Sequence, residues 1–345
     1  MFINVIFVTM LLCFSSVDAL SEKLHRPDSH SSISVMGDHT HKINDIMFSY
    51  RFGQMEMGDM YDGDRPISTD DVMFSPYSSS SGNGTYMNSP LSMTMEMHMF
   101  GVMYAPSNKL TLMLMGNYQN KDMTQKRMRM SGNGEFTVNS RGFGDLSLFT
   151  LHSLIHSQKN KLHIGLGLSI PTGSINKRDA TPANNNSRLG YAMQNGSGTY
   201  DPHFLIHFLN NLGSIKLNVQ INHKIRIHKN AKGYGYGDKT NLMAQVSYQW
   251  SNWISQSVKL SYEQLGVMRG EDNEMNKRMS PAMDSYNNGY KKTLFGVGFN
   301  LLSQSNVFKN HRLGLEVSIP LYQDYKGIQM SEDYRFMIGW QYALE

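Results

Sequence analysis

The chain has 345 residues, which is enough for two average domains or for one large domain built on a single sheet. Charged residues make up 17% of it, and 32 Lys and Arg against 28 Asp and Glu leave a formal charge of +4, too little to indicate a nucleic-acid partner. The single cysteine excludes a disulfide framework, a cysteine-based zinc site and an iron–sulfur cluster. Two abundant residue types need an explanation, namely 18 Tyr and 27 Met.

Residues 1–19 have the features of a secretory signal peptide. An apolar run from Ile3 to Phe14 is too short to span a bilayer and is followed by small residues up to Ala19 at the predicted cleavage site. The only cysteine, Cys13, lies within this run, so the exported chain has none, which suits an oxidising compartment. We predict three parts: the signal peptide, a His- and Met-containing periplasmic N-terminal segment at 20–42, and an outer-membrane barrel at 43–345.

The remainder of the chain alternates between apolar and polar side chains, and it has no apolar stretch long enough for a transmembrane helix. In residues 215–228, every second position from Ile215 to Ile221 is apolar, and polar residues occupy the positions between. A helix would scatter these residues around its circumference, whereas a strand sorts them onto two faces. Similar alternation predicts strands near residues 46–52, 162–169, 241–250, 312–319 and 333–344.

The connections between predicted strands fall into two classes. Short turns are predicted near 105–108, 156–160, 210–213, 251–253 and 303–310. Long polar loops are predicted near 55–90, 121–134, 173–197, 229–238, 266–290 and 322–332. Such asymmetry is typical of bacterial outer-membrane barrels, with short periplasmic turns and long outside loops. The pattern predicts an all-β fold, a transmembrane antiparallel up-and-down β-barrel of about 12 strands.

A soluble β-sandwich would alternate in the same way, so the aromatic residues decide between the two folds. Tyr and Trp gather near strand ends, as Tyr248, Trp250, Trp340 and Tyr342 do, which is typical of the aromatic girdles of membrane barrels. The barrel is therefore favoured, with the bacterial outer membrane as its location and outer-membrane lipid as its surroundings. About 12 strands predict a narrow pore, between filled barrels of about 8 strands and wide channels of about 16.

Five short strings resemble a known family. They are MGDHTH (36–41), SRGFGD (140–145), SIPTGSI (169–175), GSGTYD (196–201) and GWQYAL (339–344). In this order they resemble outer-membrane transporters related to the phenol meta-pathway degradation transporter-like proteins, over nearly the whole chain after the signal peptide. The resemblance implies a barrel with a transport role, and it brings no substrate and no functional residues. From the residues alone, the glycines favour backbone roles, such as a kink at Gly142 and Gly144.

Methionine follows the strand period in the first third of the predicted barrel. If the opposite strand faces meet lipid, these thioethers point into the lumen, where they would suit Cu(I) or Ag(I). His39 and His41 would add harder ligands, with both rings on one side of an extended chain. The alternative is that Met fills an irregular interior and that the histidines are solvated. The predicted metal-site residues are Met93, Met95, Met97, Met99, Met103, Met113, Met115, His39 and His41.

Charged residues are also predicted to line the lumen, where basic groups outnumber acidic ones and favour a mild preference for anions. The predicted lumen-lining residues are Met47, Lys216, Lys224, Arg226, Arg312 and Glu316.

Three functions stay open. The first is a transporter or channel whose Met-rich lumen handles copper-like ions, and the second is a passive channel for small aromatic or hydrophobic compounds. The third is a barrel enzyme, for which Ser153 beside His152 and Ser169 near His163 are candidates without any supporting motif. We expect no enzyme, and no cofactor other than Cu(I) or Ag(I) as a ligand or transported ion. The sequence does not identify a periplasmic partner.

Overall fold

The computed structural model of the chain describes residues 26–74, 86–128, 134–305 and 307–344. The predicted signal peptide, residues 1–19, lies outside the described residues. Within the described ranges, no helix combines the length and apolar character needed to cross a membrane. These ranges contain one short helix, α1 (Thr69–Phe74), and two 3-10 turns, at Tyr191–Met193 and Pro281–Met283.

The described residues are organised mainly as β-strands. The strands are β1 (Ile46–Gly63), β2 (Arg65–Ile67), β3 (Asn88–Ser107), β4 (Leu110–Arg127), β5 (Glu135–Phe143), β6 (Leu146–His156), β7 (Asn160–Ile170), β8 (Arg178–Thr181), β9 (Asn184–Arg188), β10 (Asp201–Leu212), β11 (Ile215–Lys224), β12 (Tyr234–Gly235), β13 (Lys239–Gln249), β14 (Ile254–Leu265), β15 (Arg269–Gly270), β16 (Tyr290–Leu302) and β17 (His311–Leu344).

Eleven of these strands, counted within the described residues, form a closed antiparallel ring. Neighbours follow chain order from β1 through β3, β4, β6, β7, β10, β11, β13, β14 and β16 to β17, and β17 pairs back with β1. β5 and β6 together behave as one bent strand, because β5 pairs with the outer half of β4 and β6 with the inner half. Closure leaves the ring without a free edge, as the hydrocarbon interior of a membrane requires.

The last strand, β17, folds back on itself and supplies two segments of the barrel. Its first arm pairs with β16 up to Tyr325, and its second arm pairs with β1 from Tyr325 onward. The Asn310 amide and the Ala343 carbonyl, at the open end of this hairpin, are joined by a 3.2 Å hydrogen bond. Gly327, at the tip, has a φ of 69°, which suits a tight turn. The described chain thus has twelve antiparallel segments around the barrel, which confirms the predicted fold.

Side-chain polarity is inverted relative to a soluble protein. Large apolar residues of the strands are exposed on the outside, including Phe100 at 52% and Leu260 at 50%. Polar residues on the alternate positions are buried inside, including Asn218 at 1% and Gln245 at 2%. A β-sandwich would bury the apolar face, so this arrangement excludes it and fits a barrel whose outside contacts lipid.

The two ends of the barrel differ as predicted, although several strands are longer than expected. Short turns connect β3 to β4, β6 to β7 and β10 to β11 at one end, here called the inner end. At the outer end, β1 continues to Gly63 and the hairpin of β17 occupies residues 322–332, both within ranges predicted as loops. Strand that extends beyond the bilayer meets water on its outer face, so the alternation that reveals a membrane strand disappears there.

Candidate functional site

The methionines of β3 form a ladder along the inside of the barrel. Phe100 and Tyr104, at the alternate positions of this strand, are 52% and 41% exposed on the outer surface. The ladder side chains on the opposite face are buried or half-buried. This methionine ladder consists of Met93, Met95, Met97, Met99 and Met103. The structure therefore places every β3 residue of the predicted metal site on the lumen side.

Two rows of methionine cross the ladder from strand to strand. The inner row is Met47, Met103 and Met113, and the outer row is Met57, Met93 and Met123, each residue lying opposite the next on β1, β3 and β4. Met115 packs against the inner row, together with Phe149. Met330 of β17 packs against the outer row. Because side chains directly opposite in antiparallel strands are in contact distance, each row is a set of touching thioethers.

The ladder lines a chamber of about 610 Å³ in the outer half of the barrel, here called the methionine chamber. Its described lining includes Met36, Met55, Met57, Met60, Met93, Met95, Met97, Met99, Met123, Met330 and Met337. Aromatic rings complete the apolar surface, contributed by Tyr191, Tyr236, Tyr290, Tyr325 and Phe336. Among its cationic side chains, Lys121 donates hydrogen bonds to the carbonyls of Ala192 and Gln194 at 3.0 and 2.7 Å.

Three further cavities adjoin this chamber. An outer vestibule of about 460 Å³ shares Met123 and Ala282 with it. A middle cavity of about 370 Å³ shares Met97 and Met99. A smaller cavity of about 230 Å³ lies deeper, and Met36 lines the chamber, the middle cavity and the small cavity alike. The cavities therefore follow one another from the outside loops toward the inner end.

Residues 26–41 lie in the lumen at the inner end, and this segment is here called the plug. Its backbone bonds to several strands: the Met36 carbonyl accepts from Gln220, the Gly37 carbonyl accepts from His163 and the His41 amide donates to Thr111. The sequence predicts a periplasmic location for the N-terminal segment at 20–42. The described part lies inside the barrel because its polar backbone and side chains meet the polar inner face of the strands.

Four polar side chains of the plug converge. His39 Nδ1 lies 3.2 Å from His30 Nδ1 and 2.8 Å from Asp38 Oδ1. His39 Nε2 lies 3.0 Å from His41 Nε2, so the structure brings together the two histidines that the sequence predicted to lie on one side. Asp38 also accepts a 2.7 Å hydrogen bond from the Ser31 amide. The ligand atoms of His30, Asp38 and His39 all lie within 4.8 Å of one another.

Burial controls the protonation of this cluster. Loss of solvation lowers the pKa of His41 to about 3, so its imidazole is neutral at physiological pH. Burial also lowers the pKa of His30, and the neighbouring His39 adds to that effect. For Asp38, burial acts to raise the pKa, but the contacts with His39 outweigh it and the pKa falls well below its usual range. The cluster thus combines the Asp38 carboxylate with His30 and His41 imidazoles whose pKa values are lowered by burial.

The predicted lumen charges are placed inside, and most are paired. The Lys216 ammonium lies 3.3 Å from the carboxylate of Asp28 in the plug. Glu316 accepts a 2.6 Å hydrogen bond from the Ser34 hydroxyl and forms an ion pair with Lys259. Arg312 donates to the carbonyl of Ser31.

Two of the predicted lumen charges lie toward the outer end of β11. Lys224 lines the middle cavity. Arg226 lies two residues beyond the end of β11, where it pairs with Asp201 and stacks over Tyr236 with 5.6 Å between the guanidinium and the ring centre.

The serine–histidine candidates for catalysis are not brought together. His163 donates to the Gly37 carbonyl and stacks against His207, with ring centres 5.1 Å apart. His152 contacts Thr150 at 3.2 Å, and Ser153 follows it on the opposite face of β6. Neither histidine has the serine contact that a nucleophile and its base need.

The family strings meet in a network that sequence reasoning missed. Asp145 accepts hydrogen bonds from the amides of Gly173 and Ser197 at 3.0 and 2.8 Å, which joins three separate strings. Ser197 in turn donates to Asp201 at 3.1 Å. The strand breaks at Gly144, between β5 and β6, as the predicted kink requires. Only the shared Gly and Asp content of the strings could have suggested that they lie together.

Comparison with known proteins gives a match in structure but not in sequence. No protein-family model matches the chain, and no curated protein matches it. An outer membrane channel from Pseudomonas putida F1 superposes with a TM-score of 0.59 at 12% identity, covering 90% of this chain and 100% of that one. The transport unit of the autotransporter AIDA-I from Escherichia coli superposes with a TM-score of 0.47 at 10% identity, covering 92% of this chain and 95% of that one. The monoaromatic hydrocarbon channel CymD superposes with a TM-score of 0.41 at 9% identity, covering 88% of this chain and 90% of that one.

The closed barrel, its apolar outer surface and the first of these superpositions define the class of protein. The chain is a bacterial outer-membrane β-barrel with the fold of an outer-membrane channel. The resemblance seen in the sequence is thereby supported for outer-membrane transporters in general, at the level of the fold. Its narrower part, the phenol meta-pathway group, receives no such support.

Proposed function

We propose that this barrel is a passive channel for small aromatic and other apolar organic molecules, and that the methionine chamber binds them on the way. The chamber carries the proposal. Its volume of about 610 Å³ falls within the range of roughly 300–1,000 Å³ that small-molecule sites occupy. Methionines and aromatic rings supply most of its exposed lining, with Lys, Arg, Asn and Gln side chains among them, so transfer of an apolar molecule from water to this surface is favourable.

The chemistry of methionine supports a channel rather than a tight binding site. The side chain is unbranched, polarizable and adaptable, so a methionine-lined surface accommodates differently shaped apolar molecules. The vestibule, which shares Met123 and Ala282 with the chamber, offers an entrance from the outer loops. Passage then continues through the middle cavity toward the plug.

A second candidate function is the passage of Cu(I) or Ag(I), and the two methionine rows favour it. Each row aligns three thioethers on neighbouring strands, and thioethers are the soft ligands that these ions prefer. The ladder would then act as a series of equivalent, weak sites, between which an ion could move. This function requires sulfur, whereas the first requires only an apolar surface.

One pair of variants separates the two functions. The first variant replaces Met93, Met95, Met97 and Met99 by Leu, which keeps the apolar volume and removes the sulfur; the second replaces the same residues by Gln, which keeps the length and adds polarity. Binding of 4-fluorotoluene to the protein in lipid nanodiscs is followed by 19F NMR, with empty nanodiscs as the reference. Binding of Ag(I) is titrated on the same samples.

For the organic channel, we expect the Leu variant to bind 4-fluorotoluene like the natural chain and the Gln variant to bind it about tenfold more weakly, because polar groups in the chamber hold water. For soft-ion transport, the Leu variant binds fewer Ag(I) ions at saturation than the natural chain, because it removes four thioethers of the ladder and breaks the outer row at Met93. Heat-modifiable migration on gels identifies the folded fraction, and only folded protein is compared. Absence of 4-fluorotoluene binding to the natural chain would refute the organic channel.

A further inference from the structure

We infer that the plug holds a divalent transition-metal ion of the zinc class, bound by His30, Asp38 and His39. All three ligands belong to the plug, and none of them lines the methionine chamber. The inferred site is therefore separate from the proposed path for organic molecules and from the thioether rows. Its ligands are the imidazole nitrogens and carboxylate oxygens that Zn(II) and related ions prefer.

The spacing of the ligand atoms fits a single ion. Metal–nitrogen and metal–oxygen bonds of about 2.0–2.1 Å in a tetrahedral site place neighbouring ligand atoms about 3.3 Å apart. The distances from His39 Nδ1 are 3.2 Å to His30 Nδ1 and 2.8 Å to Asp38 Oδ1, and His30 Nδ1 lies 4.0 Å from Asp38 Oδ2. These separations bracket the expected value, and the two distances to Asp38 involve different oxygens, so the carboxylate has to rotate to present one oxygen to the ion.

The two groups that face His39 Nδ1 compete for the single proton this nitrogen can carry. His39 Nδ1 faces both the Asp38 carboxylate and the His30 nitrogen, yet an imidazole nitrogen carries at most one proton. A cation bound between the three groups would use all of their lone pairs. Three protein ligands also leave a fourth position for water or another small ligand, as in open zinc sites.

His41 fits the role of a supporting residue. Its Nε2 lies 3.0 Å from His39 Nε2, the nitrogen that faces away from Asp38 and His30. A proton on His39 Nε2 donated to His41 fixes the tautomer that leaves His39 Nδ1 free for a metal. His41 is itself held by its backbone amide, which donates to Thr111 of β4 at 3.0 Å. His41 is thus a positioning residue for the inferred site.

The barrel holds both arms of the ligand-bearing loop. On one arm, the Ser31 carbonyl accepts from Arg312, next to His30. On the other, the Gly37 carbonyl accepts a 2.8 Å hydrogen bond from His163, next to Asp38. A metal ion would join the two arms across residues 30–39, and so would fix the plug in its compact form inside the lumen.

The test is a titration of Zn(II) into the folded mature chain in detergent, prepared without a histidine tag and followed by calorimetry. We expect one saturable Zn(II) per chain, no saturable binding in His39→Ala and about tenfold weaker binding in His41→Ala. Co(II) provides an independent readout, because its visible absorption bands report coordination by nitrogen and oxygen. These bands should disappear in His30→Ala and in His39→Ala.

Two control variants separate a lost ligand from a displaced plug. His163→Ala removes a contact between plug and barrel without removing a ligand, and His228→Ala removes an exposed histidine of an outer loop. His228→Ala should bind Zn(II) with natural affinity, and His163→Ala should weaken binding without the complete loss expected of His39→Ala, because all three ligands remain. Absence of Zn(II) binding by the natural chain, unchanged binding by His39→Ala, or an equal loss in His163→Ala and His39→Ala would each overturn the inferred site.

Discussion

Close glycine packing explains two of the sequence strings at the scale of single residues. Gly173 and Gly196 are buried against each other, and a Cβ added to Gly196 would lie 2.2 Å from the Gly173 carbonyl oxygen. Asp145 ties the same two segments together by accepting from the amides of Gly173 and Ser197. The sequence assigns the glycines of these strings to backbone roles. It does not show that they touch, since that contact depends on two segments more than twenty residues apart.

Replacing Gly196 by Ala should therefore destabilise the outer end of the barrel. We expect the free energy of unfolding to fall by about 1–3 kcal/mol, because backbone rather than a flexible side chain has to move. Unfolding in urea, measured by tryptophan fluorescence in lipid vesicles, gives the value. The control is Gly116→Ala, whose added Cβ would meet Leu146 Cδ1 at an ordinary 3.5 Å and should change stability by no more than about 0.5 kcal/mol. Equal stability of the two variants would contradict this explanation.

At the scale of elements, alternation identifies the strands that cross the membrane but not the plug. β11 and β13 have one apolar and one polar face, so their period is visible in the sequence. The plug has no period, since its backbone groups bond to side chains from β4, β7, β11 and β17 that come together only when the barrel closes. Residues 39 and 41 could be singled out from the sequence, whereas His30 joins them only through the fold of the plug.

Deletion of the plug should open the channel. Removing residues 20–42 takes away the chain that fills the inner lumen, and we expect the single-channel conductance in planar bilayers to rise at least about threefold. The matched control, Ser34→Ala, removes the hydrogen bonds of the Ser34 hydroxyl with Glu316, at 2.6 Å, and with Lys259, and leaves the rest of the plug in place. Its conductance should stay close to the natural value. If the deletion leaves conductance unchanged, the pore is closed elsewhere, and the plug is not the barrier.

At the scale of the whole molecule, the sequence predicts the architecture better than the electrostatics of the lumen. The alternation of short turns and long loops predicts a barrel of about twelve strands and its location in the outer membrane. Counting the charged residues does not predict the electrostatic field in the lumen, because many of them are paired. Lys216 pairs with Asp28 and Lys259 with Glu316, and only the fold brings these partners together. The charged side chains that line the middle cavity are all cationic.

That cavity should make the channel prefer anions. Its described lining contains Arg51, Lys224 and Lys239 and no carboxylate, and a ring of cationic side chains in a narrow passage favours anions. In planar bilayers under a KCl gradient, we expect a reversal potential of anion sign, with chloride favoured over potassium by about twofold or more. Lys224→Gln combined with Lys239→Gln should bring this ratio close to one, and Lys229→Gln, an exposed loop residue, should leave it unchanged. A cation-selective reversal potential in the natural chain would show that ions do not pass through the middle cavity.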